Sequence, residues 1–247
     1  MKKTNNISCG FLITAYKQVE LVEENIKRIQ SYKHLNNSKI VVVTTSEVDV
    51  GFKKLESYNN VHIIENKEVP EYTDLGTLSI RIYNSIQKGL FLLKDYDVDV
   101  CLHLHSDTYW SFDKEKKLLN YLYEVYNNNY LFSGDLDIHC EESSPLPKGV
   151  HFHPEGLIFN VSECYKYGYG FTFDKIWDDS YGFKSHNYKS PEALLGQYAI
   201  FLLTKENIIN KSKEIPKLYF DKVKVRNKRT YHGEFNDGLV NIKTKQG

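Results

Sequence analysis

Four short apolar runs, with helix-spaced stretches between them, occupy the first 105 residues and leave few folds open. Residues 39–45 (KIVVVTT) show no polar alternation, as expected of a strand covered on both faces, and 7–15 (ISCGFLITA), 61–65 (VHIIE) and the apolar body of 97–109 (DVDVCLHLHSDTY) read as strands beside it. Between them, Val19, Val22, Ile26 and Ile29 recur at three or four residues within 18–32. Leu78, Ile82, Ile86, Leu90 and Leu93 do the same within 75–93, the pattern of a helix that buries one stripe. Residues 48–58 read as a shorter helix. The order β-α-β-α-β-α-β calls for an α/β fold with a mostly parallel sheet and right-handed crossovers.

The fourth run carries chemistry at its end. With a side-chain period of two along the whole stretch, Cys101, His103, His105 and Asp107 share one face. His105 and Asp107 would then emerge together at the carboxyl end of the strand, the edge where open α/β sheets bind ligands. An imidazole and a carboxylate so placed can share a divalent cation.

The remainder is less regular. Residues 113–126 read as a helix, 130–138 as a strand, 139–150 as a loop with Pro145 and Pro147, and 151–161 as a broken strand. Residues 165–188 combine glycines with many aromatics. Ser190-Pro191-Glu192 starts a helix, with serine as N-cap and proline at the first position, running to about 203. Residues 217–225 read as an edge strand and the tail from 226 as a polar loop. No repeat, low-complexity tract or linker divides the chain, so 1–247 is expected to form a single domain.

Composition narrows the partners. The 32 basic and 32 acidic residues balance, so no overall basic field draws in nucleic acid. No apolar run approaches the length that spans a bilayer, though peripheral membrane contact stays open. Met1-Lys-Lys is followed by polar residues and not by an apolar signal segment. The four cysteines (Cys9, Cys101, Cys140, Cys164) are widely spaced, as reduced thiols in a cytoplasmic protein are. The 19 tyrosines and 13 phenylalanines suit either an aromatic core or stacking on sugars and bases.

Three stretches resemble the GT-A nucleotide-sugar glycosyltransferases, especially the inverting family 2 type. They are the first strand ending in I-T-A-Y-K at 13–17, the helix G-T-L-S-I-R-I-Y-N at 76–84, and L-H-L-H-S-D at 102–107 in place of the family's D-x-D. His105 stands where the first aspartate would, and Arg81 and Asn84 are separated by two residues. The resemblance implies a nucleotide-sugar-binding half (1–110) and an acceptor-binding half (111–247). It implies sugar transfer from a nucleoside-diphosphate-sugar to a glycan, glycolipid or other surface-polymer acceptor, with inversion, assisted by Mn2+ or Mg2+. Thr14, Ala15, Tyr16, Ser46, Arg81, Asn84, His105, Ser106 and Arg229 would bind the donor. Lys224, Arg226 and Lys228 could join Arg229 in closing over the diphosphate, or form a solvated charge run. His105, Asp107 and His232 would ligate the metal. Glu192 would be the general base, with Asp178 and Asp179 as the alternative.

Two other readings compete. His103-x-His105-x-Asp107 spells most of the H-x-H-x-D-H of metallo-β-lactamase-type zinc hydrolases, with Thr108 in place of the last histidine. A non-catalytic nucleotide- or glycan-binding relative of the same fold is the other. A dinucleotide-dependent oxidoreductase is excluded, because no G-x-G-x-x-G follows the first strand.

Overall fold

The computed structural model describes residues 7–45, 50–67, 75–137, 152–165, 194, 198, 223–229 and 239–241. The first half follows the expected order: β1 (Cys9–Ala15), α1 (Val19–Ser31), β2 (Lys39–Thr44), α2 (Val50–Lys53), β3 (Val61–Glu65), α3 (Leu75–Asp95) and β4 (Val100–His105). The short helix α2 is a single turn, continued by a 3-10 turn at Lys54–Ser57. Then come β5 (Thr108–Trp110), α4 (Glu115–Asn127), β6 (Phe132–Asp137), β7 (Ile158–Asn160), α5 (Val161–Cys164), β8 (Val223–Arg229) and β9 (Leu239–Asn241).

The main sheet has seven strands in the order β3-β2-β1-β4-β7-β6-β8. All run parallel except β7, which is antiparallel to both β4 and β6. A separate two-stranded antiparallel sheet joins β5 to β9. The molecule is thus the mostly parallel α/β sheet flanked by helices that the periodicity predicts.

Each face of the sheet has its own core. On one, Leu12, Val41, Val43 and Cys101 meet Tyr83, Ile86, Leu90 and Leu93 of α3. On the other, Phe11, Ile13, Val42, Leu102 and Leu104 meet Val22, Ile26 and Ile29 of α1 and Leu118, Leu122 and Val125 of α4. Burying each such side chain contributes roughly 1.5–3 kcal/mol. Helix α4 is also tied to the end of α1, because the buried Glu115 carboxylate accepts the amides of Lys33 (3.0 Å) and His34 (2.7 Å).

Three expectations are corrected. The strand in 97–109 stops at His105; Ser106 and Asp107 form a turn, and residues 108–110 belong to the second sheet. The turn closes because the Thr108 Oγ1 accepts from the His105 amide (2.9 Å) and donates to the His105 carbonyl (3.1 Å). The late strand lies at Val223–Arg229, so the residues after 226 do not start a loop. It is the sheet's edge as expected, but two of its charges have tertiary partners in place of a diphosphate. Lys224 pairs with Glu124 (2.7 Å) and the buried Arg226 with Asp135 (3.3 Å). The helix expected from 190 lies outside the described residues except at Leu194 and Tyr198, both helical and buried.

Helix α3 approaches β1 closely at Gly89, where an added Cβ would overlap Leu12 Cδ1. Gly89→Ala is therefore expected to destabilise the protein by about 1–3 kcal/mol, as overpacking does. A denaturant titration checks this, and an unchanged midpoint would show that Leu12 yields freely.

Candidate functional site

A cleft of about 280 Å³ opens at the carboxyl ends of β1, β2 and β4, beneath the first turns of α3. The strands and the loops that follow them supply Thr14, Ala15, Tyr16, Gln18, Thr45, His105, Ser106 and Asp107, and α3 supplies Leu78, Arg81, Ile82 and Ser85. Seven of the residues picked from sequence meet here: Thr14, Ala15, Tyr16, Arg81, His105, Ser106 and Asp107. Asn84 instead lies against Asn66, whose Nδ2 donates to its Oδ1 (2.8 Å), and it does not line the cleft. Ser46, Asp178, Asp179, Glu192 and His232 lie outside the described residues, as does the side chain of Arg229.

The mouth is cationic and aromatic. Tyr16 is 51% exposed, with the Arg81 guanidinium 4.8 Å from its ring centroid and Lys17 Nζ 5.0 Å away. Arg81 also donates to Thr45, to Oγ1 at 2.8 Å and to the carbonyl at 3.4 Å. The ring thus has cations beside it, each such contact being worth about 0.5–1 kcal/mol at an exposed site. Leu78 and Ile82 form an apolar wall. They belong to the stripe that sequence assigned to the core, but both are only half-buried, so that periodicity could not separate a pocket wall from a core row.

The floor is polar and fixed. Thr14 and His105 are register partners on β1 and β4 and share a face with His103. His103 is fully buried. Its Nδ1 lies 2.8 Å from the Pro154 carbonyl and its Nε2 3.0 Å from Thr14 Oγ1. A carbonyl only accepts, so Nδ1 carries the proton. Burial, reinforced by the neighbouring His105, holds His103 well below the ordinary histidine range, so it stays neutral. The His105 ring stands edge-on to it at 5.2 Å. His105 Nε2 is buried and meets no hydrogen-bond partner among the described residues.

The turn that presents Asp107 is held from several sides. Ser106 N donates to the Thr14 carbonyl (3.0 Å), and Ser106 Oγ donates to Gln18 Oε1. Asn25 Nδ2, from α1, donates to the Ser106 carbonyl (3.0 Å) and the Thr108 carbonyl (2.9 Å). Gln18 reaches the turn because it and Lys17 adopt φ of 59° and 58°. That left-handed backbone costs roughly 1–2 kcal/mol per non-glycine residue, and strain of this kind concentrates at functional sites. Gln18 is a site residue that sequence reasoning missed, since nothing in its identity signals a positive φ.

The described cysteines offer no metal-ready thiolates: burial pushes Cys9 up to about 12 and raises Cys101 and Cys164. Among the described residues, no group of three His, Cys, Asp or Glu side chains is placed to hold a metal ion. The zinc-hydrolase reading fails at His103, since both ring nitrogens are engaged within the protein and its strand is parallel to β1.

No family model and no curated protein matches the chain. Solved structures do. It is similar to an active-site mutant of LgtC, at 13% identity and TM-score 0.55, over 94% of this chain and 86% of that one. Galactosyltransferase LgtC in complex with donor and acceptor sugar analogs matches at 11% identity and TM-score 0.53, with the same coverage. The chain has a GT-A-like fold. A cytidylyltransferase from Leptospira borgpetersenii matches at 17% identity but TM-score 0.40, over 64% of this chain and 62% of that one. At such identities the likeness concerns the fold and does not single out the inverting family 2 type. Among the described residues, no helix is long and apolar enough to cross a membrane.

The neutral, buried His103 makes stability depend on pH. The unfolded chain protonates this group near pH 6.5, whereas the folded one resists until lower pH. The unfolded state therefore binds more protons below about 6.5, and stability falls as pH drops through that value. Melting curves between about pH 7.5 and 5 should show the decline, and His103→Asn, which cannot titrate, should show a shallower one. An equal slope in both would refute the assignment.

Proposed function

We propose that the protein is a nucleoside-diphosphate-sugar-dependent glycosyltransferase acting on a glycan, glycolipid or other surface-polymer acceptor. The observation that carries this is the convergence of an aromatic face and a cation (Tyr16, Arg81) with an imidazole and a carboxylate (His105, Asp107) at one cleft, Lys17 lying against the same ring. The galactosyltransferase of like fold, solved with donor and acceptor sugar analogs, supports the reading.

Tyr16, Leu78 and Ile82 offer surfaces for a base to stack or pack against, while Arg81 and Lys17 present charge to the diphosphate. Asp107 and His105 fit a hard divalent cation only in part: a carboxylate oxygen suits Mg2+ or Mn2+, and His105 Nε2, without a hydrogen-bond partner among the described residues, suits Mn2+ better. With these two donors and a third proposed below, much of the coordination would fall to substrate phosphates and water, as is usual for Mg2+ in phosphate sites. When bound, such a cation would neutralise the charge that grows on the departing diphosphate. His232 remains the proposed third ligand. Inversion requires a general base for the acceptor hydroxyl, for which we carry Glu192, with Asp178 and Asp179 as the alternative. His105 in place of a carboxylate favours a second reading, a nucleotide- or glycan-binding module without turnover, and release of diphosphate from a sugar donor separates the two.

With so few protein ligands, cation and nucleotide should bind together. Screening nucleoside diphosphates by thermal shift should find one whose stabilisation grows with Mn2+, reaching about 2.7 kcal/mol at a hundredfold excess over Kd. Asp107→Ala should abolish the Mn2+-dependent part and leave the metal-free part. No stabilisation by any diphosphate, with or without Mn2+, would overturn the proposal.

A further inference from the structure

Helix α1 contributes a side chain to the site that never reaches the cleft. Asn25 is 1% exposed and sits inside α1, on the sheet face opposite α3. Both its donor bonds are to carbonyls of the 105–108 turn, Ser106 at 3.0 Å and Thr108 at 2.9 Å. Since a carbonyl only accepts, the amide nitrogen is fixed on that side. Its Oδ1 is buried and meets no hydrogen-bond partner among the described residues. A buried amide with an unmet acceptor is a poor choice for stability alone, because the orphaned oxygen loses its hydration.

The two captured carbonyls belong to the residues before and after Asp107. With Ser106 N on Thr14 and Thr108 Oγ1 bridging His105 N and O, the residues on either side of Asp107 are held by named partners. Gln18 adds a contact from the other end, receiving the Ser106 hydroxyl. Ser106 therefore commits its amide, carbonyl and hydroxyl to position, and Asp107, next to it, lines the cleft.

We propose that Asn25 is a positioning residue for Asp107: by holding the carbonyls on both sides, it sets the carboxylate for a divalent cation without touching cation or nucleotide. Gln18 does the same in smaller measure. The inference rests on the reading of the cleft as a nucleoside-diphosphate site, and it separates two properties of that site. Base recognition belongs to Tyr16, Leu78 and Ile82, and does not depend on Asn25. Cation affinity belongs to the turn, and does. Groups that orient a metal ligand from behind are typically worth about 10–100-fold in metal affinity.

The test is Mn2+ binding by electron paramagnetic resonance in the presence of UDP, GDP, CDP or ADP, whichever stabilises the wild type best. Calorimetric binding of the same diphosphate without metal is measured beside it. Asn25→Leu keeps the number and branching of the heavy atoms and removes both donors. It is expected to weaken Mn2+ about tenfold or more, while metal-free diphosphate binding stays within about twofold. Because a buried substitution can impair folding, Gln18→Leu, at an exposed position, is measured as well, with about a threefold loss expected. Unchanged Mn2+ affinity in whichever variants fold would overturn the inference, as would an equal loss of metal-free diphosphate binding in Asn25→Leu. Those outcomes leave the nucleotide reading standing. A wild type that binds Mn2+ with no nucleoside diphosphate at all would remove that reading, and this inference with it.

Discussion

The parallel ladder between β1 and β4, from Cys9↔Val100 to Thr14↔His105, is the constraint on which the site depends. Near its far end Thr14 meets His103, 89 residues away in the chain, and the β1–α1 loop is brought beside the turn after β4. The strand order places β1 between β2 and β4, and a central strand has its backbone fully paired. Its last residues can therefore carry polar side chains without loosening the sheet.

From that ladder the cleft acquires a rigid floor and a more exposed rim. His103, neutral and bonded at both ring nitrogens, links β1 to the Pro154 carbonyl of the segment before β7, so the two halves of the sheet meet under the site. The 105–108 turn is closed by Thr108 and held from α1. The rim, with Tyr16 half-exposed and Lys17 and Gln18 in left-handed backbone, carries the strain. A preorganised floor with a strained entrance suits a site that must place charge accurately.

Much of the fold could be read from residue order. The strands at 39–44, 61–65 and 100–105 and the helices at 19–31 and 75–95 follow from apolar runs and stripes, because burial on both faces of a parallel sheet leaves an unambiguous pattern. The site was legible where it sits at strand ends: Thr14, Ala15, Tyr16, His105 and Asp107 fall where strand order requires a ligand edge. It was illegible where a residue's role depends on a partner. Gln18 acts through a positive φ, Leu78 and Ile82 by the gap left beside their helix, and Asn84 misled because Asn66, 18 residues away, engages it. Arg226, read as a phosphate cation or as part of a solvated charge run, is a buried partner of Asp135.

The sequence by itself determined the layered α/β architecture, the presence of the fourth strand and the residue types available at its end, because periodicity and polarity are local properties of the chain. Tertiary structure alone decided what the stretch at 97–109 does. Local alternation predicted one continuous strand with Asp107 on the face of His105. Side chains decided otherwise: Thr108 bonds back to His105, Gln18 receives Ser106, and Asn25 holds two carbonyls. The bonds from Gln18 and Asn25 span 81 to 88 positions of the chain, a distance over which no local pattern carries information. They turned a strand end into a fixed turn.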